Sequence, residues 1–308
     1  MKVCFMGSMD FAVKILESLN QHHQVALVVT QPDKPVGRKR IMKGTPVKER
    51  ALALGLDIYQ PENIKRDHQK IINQSFDFIV VAAYGQIIPD DILYHAKYQA
   101  INVHASLLPK YRGGTPMHRA IINGDEFSGV SIMYMIKKMD AGDILNQVKI
   151  QIDKDDDVAT LESKLAEKGA SLLIETMSKM INGTAVSKPQ DINQVTYAYH
   201  IKPEEQIIDI NHSAFQCYNL VRGMYPWPIA ELYVNQQRVK IFKAAYSDEN
   251  TSYQVGTVVK IDQTGVFIQT KNGLFIIKEL QVNGKKRMDI HSFMNGAGKS
   301  LFQLYHAI

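Results

Sequence analysis

The chain has 308 residues, about twice a common domain size of roughly 100 to 200 residues, so two domains are expected. An apolar share of 45% and a charged share of 22% exclude collagen-like, low-complexity and wholly disordered chains. No apolar run approaches the roughly 20 residues of a membrane-spanning helix, and no secretory leader is visible. Cys4 and Cys217 lie far apart among apolar neighbours, so buried reduced thiols are expected rather than a disulfide or a zinc site, in a cytoplasmic protein.

In chain order, Lys2 to Met6 is an apolar run ending at Gly7, after which Phe11, Ile15, Leu16 and Leu19 recur at helical spacing. Further runs at Val25 to Thr30, Phe78 to Ala83 and Ala100 to Val103 alternate with helical stretches such as Arg66 to Asn73. Such alternation predicts an α/β fold with a Rossmann-like parallel sheet. Thr45 before Pro46 reads as the N-cap of a helix. That helix follows a run of five bases with no acid, Lys34, Arg38, Lys39, Arg40 and Lys43, next to Pro35 and Gly37. The net charge is only +5, so this exposed loop holds much of the excess. It is placed at the carboxyl ends of the strands, where open α/β sheets bind ligands, together with the Tyr84-Gly85 turn and the segment after Val103.

A helical period returns from Val158 to Ile181, and Gly183, Pro189 and the polar residues through Gln194 mark a boundary. Beyond Ile207, five short strands are predicted: Ala230 to Val234, Val239 to Ala245, Gly256 to Ile261, Val266 to Thr270 and Leu274 to Leu280. Turns fall at Asn235-Gln236 and Asn272-Gly273. This spacing predicts a small C-terminal OB-like β-barrel, a fold that often binds nucleic acid. The expected division is 1–185 catalytic, 186–205 linker and 206–308 barrel.

The chemically dense stretch runs from Asn102 to Pro116. On a strand, Asn102 and His104 project to one side, and an amide donor beside an imidazole suits acyl transfer: the amide bonds a developing oxyanion and the imidazole moves a proton. The plain alternative for an isolated Asn-x-His is a core histidine bonded to backbone. Asp140 or Asp143, in Asp-Ala-Gly-Asp, could orient the imidazole, and the residues alone do not choose between them. Gly7-Ser8-Met9-Asp10 lacks the G-x-G-x-x-G of a dinucleotide site, Gly296 to Ser300 lacks the first glycine of a phosphate loop, and no metal-spaced cluster competes.

These segments together resemble the 10-formyltetrahydrofolate-dependent formyltransferases, and among them those acting on methionyl-tRNA. The resemblance runs through Phe5-Met6-Gly7, Thr30 to Arg38, Ala83-Tyr84-Gly85, Asn102 to Gly113 and Asp140 to Asp143, and so along nearly the whole chain. It implies Asn102, His104 and Asp140 as the catalytic group, and Tyr84, Gly85, Ser106, Leu107, Leu108 and Pro109 as folate-binding residues. For the acceptor it implies Arg38 reaching the end of the tRNA, with Lys34, Lys39, Arg40 and Lys43 beside it and the Trp227-bearing barrel as a second tRNA-binding element. The expected enzyme uses 10-formyltetrahydrofolate and charged initiator tRNA, needs no metal or membrane, and is a monomer. A sugar-nucleotide or ribonucleotide amine as acceptor, hydrolysis of the formyl-folate, and RNA binding without catalysis are the competing readings.

Overall fold

The structure is a computed structural model that describes every residue except Arg38, Lys39 and Ala297. The chain divides into two compact units: 1–116, 127–151 and 162–199 form the first, and 117–126, 152–161 and 200–308 the second.

In chain order the first part of the molecule runs β1 (Lys2–Gly7), α1 (Asp10–His22), β2 (Gln24–Val29), β3 (Lys34–Val36), β4 (Ile41–Lys43), α2 (Pro46–Ala53) and β5 (Ile58–Tyr59). It continues with α3 (Gln69–Ile72), β6 (Phe78–Ala82), α4 (Asp90–Leu93), β7 (Ala100–His104), α5 (Pro116–Ile122), β8 (Phe127–Tyr134), β9 (Ile144–Gln151) and α6 (Val158–Ile181). Seven strands form one sheet in the order β5-β2-β1-β6-β7-β8-β9. The strands β1, β6 and β7 are almost wholly buried, as expected of strands covered on both faces. The chain order reverses between β1 and β6, so the carboxyl ends of these two strands flank the switch point where such sheets bind ligands.

The parallel sheet carries an antiparallel edge that the sequence does not predict. From β5 to β7 the pairing is parallel, but β8 pairs antiparallel with β7, and β9 antiparallel with β8. The connection from β8 to β9, residues 135–143, is too short for the crossover a parallel pair requires. A correction concerns Arg66 to Asn73, of which only the single turn of α3 is helical. Just before it, Asn63 caps a tight turn: its Oδ1 accepts from Lys65 N–H and its carbonyl from Arg66 and Asp67 N–H, which diverts the backbone from the helix. Where the sequence reads one basic loop, β3 and β4 pair as a short hairpin.

The α1 face Phe11, Ala12, Ile15, Leu16 and Leu19 is buried, in keeping with its helical spacing. Thr45 caps α2, its side-chain oxygen accepting from Lys48 N–H, with Pro46 in the first turn.

The second unit holds α7 (Ala214–Gly223), β10 (Ala230–Val234), β11 (Gln237–Ser247), β12 (Val258–Asp262), β13 (Gly265–Gln269), β14 (Leu274–Val282), β15 (Met288–Asp289) and α8 (Ile290–Met294). Ser213 and Gln216 form a reciprocal capping box at the start of α7. Its apolar face, with Cys217 and Val221, joins Ile241, Ala244, Phe275 and Ile277 in one core. The strands form an antiparallel sheet in the order β10-β11-β14-β13-β12, with β15 against β14. Among the described residues no ladder joins β10 to β12, so the OB-like domain is an open antiparallel sheet rather than a closed barrel.

The turn joining β10 and β11 has both central residues at positive φ, Asn235 at 47° and Gln236 at 64°. Hairpins favour this geometry because its twist matches the strands, but a residue with a Cβ is strained there. Gln236→Gly relieves roughly 1–2 kcal/mol of that strain against roughly 0.5–1 kcal/mol of added chain entropy, so stability rises by up to about 1.5 kcal/mol. A chemical denaturation curve should show a higher midpoint at unchanged slope, and a lower midpoint would contradict this turn.

Candidate active site

The central strand β7 presents Asn102 and His104 at alternate positions, hence on one face of the sheet. Asn102 is paired in register with Val81 and Met133, and His104 with Ser131. Both side chains are nearly buried, at 8% and 6% exposure. The Nε2 atom of His104 lies 3.0 Å from the Tyr111 carbonyl. A carbonyl only accepts, so Nε2 carries the proton, and Nδ1 is left facing Asp140 Oδ2 at 3.8 Å. That same oxygen accepts from the Gly113 N–H at 2.8 Å. Asp140 thus stands beside the imidazole, while the Asp143 carboxylate is turned to Ser187 Oγ at 3.4 Å.

The loop after β7 is shaped by side chains from β8 and β9. Ser131, fully buried, donates to the Ser106 carbonyl at 2.6 Å and accepts from Leu108 N–H at 3.0 Å and from Gln147 Nε2 at 2.7 Å. Gln147 Nε2 also reaches the Leu108 carbonyl at 2.9 Å, and Ser106 Oγ donates to the Lys110 carbonyl at 2.7 Å. The one hydroxyl hydrogen and both lone pairs of Ser131 are therefore used, which leaves residues 106–109 a single arrangement. Leu108 is buried, and Leu107 and Pro109 are half-buried.

Of the two expected folate residues after β6, Gly85 is exposed with φ +90°, whereas the Tyr84 side chain is buried. Its ring is packed in the core with Cys4, Met6, Leu27 and Ile79, and burial pushes its phenol up beyond the ordinary range. Only the Tyr84 main chain is near the strand ends, its carbonyl accepting from Ser8 Oγ at 3.0 Å and Gln31 Nε2 at 3.3 Å.

That carbonyl belongs to a network tying the basic hairpin to the sheet. Ser8 Oγ accepts from Gln31 N–H, Thr30 Oγ1 lies 2.6 Å from Thr45 Oγ1, and Lys48 Nζ holds both oxygens of Asp33, at 2.7 and 2.6 Å. Hydrogen bonds from Gln60 and then Lys48 hold the Asp33 carboxyl below its ordinary value, so it stays anionic as the hairpin's anchor. Lys34 and Lys43 stand directly opposite one another across β3 and β4, and Arg40 follows the turn, all exposed. Opposed like charges repel, and an anion over the hairpin would relieve them. The other two expected bases, Arg38 and Lys39, lie outside the described residues.

In the second unit a cleft of about 620 Å³ is lined by the cations Arg222, Lys243, Lys278 and Arg287, by the carboxylates Asp155, Asp157 and Glu279, and by the rings of Tyr218 and Phe242, among others. Arg287 lies 4.3 Å from the centre of the Phe242 ring and is paired with Glu279. Trp227 is 71% exposed. Among the described residues no helix is long and apolar enough to cross a membrane, and no group of three His, Cys, Asp or Glu side chains could hold a metal ion.

The sequence reading did not find Ser131, Gln147, Arg112 or Gln190. Arg112 is buried, with its guanidinium on the Gln190 side chain, 78 residues away in sequence. No local pattern marks such a pair, because its meaning lies in a long-range interaction.

Comparison with known proteins covers both units. Residues 1–177 match the family model for formyl transferase, and residues 200–298 the model for the formyl transferase C-terminal domain. Proteins named methionyl-tRNA formyltransferase from Macrococcus caseolyticus and from Staphylococcus aureus strain MW2 are each 43% identical, over 97% of this chain and 97% of theirs. Among solved structures, an N-formyltransferase from Helicobacter canadensis, in complex with folinic acid and dTDP-3-aminofucose, superposes with a TM-score of 0.67. It is 20% identical and covers 94% of this chain and 100% of that one. HypX from Aquifex aeolicus in complex with tetrahydrofolic acid also gives 0.67, at 15% identity, over 99% of this chain and 48% of that one. At such identities these two structures show a shared fold. By its matched models and its relatives across almost its whole length, with an Asn-x-His strand facing an aspartate turn, the chain belongs to the formyl transferase family.

Proposed function

We propose that this chain transfers the formyl group of 10-formyltetrahydrofolate to the free amino group of methionine on charged initiator tRNA, for translation initiation. Supporting the acceptor is the 43% identity to methionyl-tRNA formyltransferases over 97% of both chains. Supporting the chemistry is the grouping of His104 and Asp140 at the end of the strand that carries Asn102. Residues 1–185 are the catalytic part, 186–205 the connection and 206–308 the tRNA-binding part. The enzyme works as a monomer in the cytoplasm, where burial keeps the Cys217 thiol inert, pushed up to about 12.

The folate co-substrate is held by the segments that follow β7 and β6. The tightly held 106–109 loop and the exposed Gly85 turn supply a shaped wall of main chain and apolar side chain, with Ser106, Leu107, Leu108, Pro109 and the main chain of Tyr84-Gly85 as its holders. The methionine amine attacks the formyl carbon, forming a C–N bond while the carbonyl π pair moves to oxygen. Asn102 donates its amide hydrogen bond to that oxygen. The proton leaving the amine goes to the His104–Asp140 pair, whose facing atoms Nδ1 and Oδ2 both accept in the tautomer set by Tyr111. On collapse the bond to the folate nitrogen breaks, and that nitrogen takes the proton. Formyl-methionyl-tRNA and tetrahydrofolate are the products.

The tRNA backbone is held by Lys34, Arg40 and Lys43 of the hairpin and by Lys39, with Arg38 at the acceptor end, and by basic side chains of the second unit. From 203 to 308 the chain has 11 basic and nine acidic residues, so the second unit contributes by clustering rather than by net charge.

The direct test offers 10-formyltetrahydrofolate with methionine-charged initiator tRNA, with glycinamide ribonucleotide, or alone, and follows formyl incorporation. Formylated tRNA is expected; folate turnover without it would sink the acceptor assignment. Asn102→Ala should lower turnover by roughly 10² to 10³ at unchanged stability, the usual loss of one oxyanion donor. Near-wild-type turnover would remove Asn102 from the chemistry. Replacing Lys34, Arg40 and Lys43 with Ala should raise KM for the tRNA at nearly constant kcat. The salt dependence should flatten by about one logarithmic unit of slope for each phosphate no longer neutralised. An unchanged salt slope would take the hairpin off the RNA.

A further inference from the structure

The segment that reads as a polar connection is bound closely to the first unit. Lys188 exchanges both main-chain hydrogen bonds with Ile144, and Thr196 and Ala198 bond to Pro109, Arg112 and Thr115. Within it, the Gln190 side chain stands between the two turns that meet at Asp140. Its Oε1 accepts from Arg112 Nε at 3.0 Å and Nη2 at 2.7 Å. Its Nε2 donates to the Asp140 carbonyl at 2.9 Å and the Gly142 carbonyl at 2.7 Å. An amide side chain has two acceptor sites and two donor hydrogens, and all four are used. The orientation is therefore unambiguous: turned over, the amide would set N–H against guanidinium and oxygen against two carbonyls.

Asp140 sits at φ +48°, a conformation that costs an L-residue roughly 1–2 kcal/mol and persists only when its surroundings hold it. The turn is also pressed against β8, since a Cβ on Gly142 would lie 1.9 Å from the Tyr134 carbonyl oxygen. The Asp140 carboxylate is held by the N–H of Gly113, the neighbour of Arg112. Gln190 thus grips both sides of one hydrogen bond, the donor turn through the Arg112 side chain and the acceptor turn through the carbonyls of Asp140 and Gly142. We infer that Gln190 is a positioning residue for formyl transfer, setting the Asp140 carboxylate against His104 Nδ1 by joining Arg112 to the 140–142 turn. This rests on the reading of His104 and Asp140 as the proton-accepting pair.

The test is a double-mutant cycle. Gln190→Glu keeps an acceptor for Arg112, now as an ion pair, while it removes the two donors to the turn and sets a carboxylate oxygen against the two carbonyls; Gln190→Met keeps the length and removes both sets without adding charge. Gln190→Glu should lower kcat by roughly 10², the scale of a misplaced catalytic group, with KM for both substrates and tetrahydrofolate affinity by titration calorimetry unchanged, and with a lower unfolding midpoint because two carbonyls lose their donors. In an Asp140→Asn background it should cost nothing further, because the group it positions is already lost. Wild-type kcat in Gln190→Glu, or losses that multiply in the double variant, would overturn the inference, assigning Gln190 to Arg112 alone or to general packing. If Gln190→Glu does not fold, Gln190→Met carries the same cycle with the same outcomes. Wild-type kcat in Asp140→Asn would overturn the proton-pair reading itself, whereas loss there with none in Gln190→Glu would overturn only the role of Gln190.

Discussion

The hydrogen bond from the Gly113 amide to Asp140 Oδ2 joins two turns separated by 27 residues, and the candidate site depends on it. One turn follows β7 and the other follows β8. These strands are antiparallel, with His104 opposite Ser131 and Ile101 opposite Tyr134, so β8 carries the chain away from the carboxyl end of β7. The 135–143 segment must therefore fold back along the sheet before Asp140 can stand beside His104. Being short, and joined directly to β9, it has little freedom once that hydrogen bond fastens it.

The imidazole is constrained in the same way. Its Nε2 is spent on Tyr111, so the ring nitrogen that faces Asp140 is decided by a main-chain carbonyl seven residues along the same loop. That loop is in turn fixed by Ser131, a side chain from β8 with no open hydrogen-bonding capacity. Buried polar groups of this kind tolerate one arrangement, because removing a partner leaves another group unpaired, at about 1–3 kcal/mol apiece. The geometry of the candidate site therefore rests on main-chain donors and acceptors as much as on the side chains of Asn102, His104 and Asp140.

Charge is organised differently. Lys34, Arg40 and Lys43 are exposed, with Lys34 opposite Lys43, while the Asp33–Lys48 pair and the Ser8, Thr30 and Thr45 hydroxyls beneath them are at least half-buried. A rigid base presenting repelling cations suits a polyanion, whose backbone contacts position rather than discriminate.

Much was legible from the sequence alone, because it depends on local pattern. The buried runs of β1, β6 and β7, the amphipathic α1, the Thr45-Pro46 cap, the span of α6 and the Asn235-Gln236 hairpin all follow from side-chain period, cap chemistry or turn chemistry. Asn102 and His104 were placed together because a strand has a period of two. The choice of Asp140 over Asp143 came from family resemblance, and in the structure Asp140 is the one beside the imidazole. Tertiary structure alone decided what period cannot encode: the antiparallel edge of the sheet, the open order of the second sheet, and the burial of the Tyr84 ring. It also decided that a polar stretch near residue 190 grips the turns at Arg112 and Asp140. Gln190 has its partners 48 to 78 residues away, and a hydrogen bond between such distant groups exists only once the chain between them has folded.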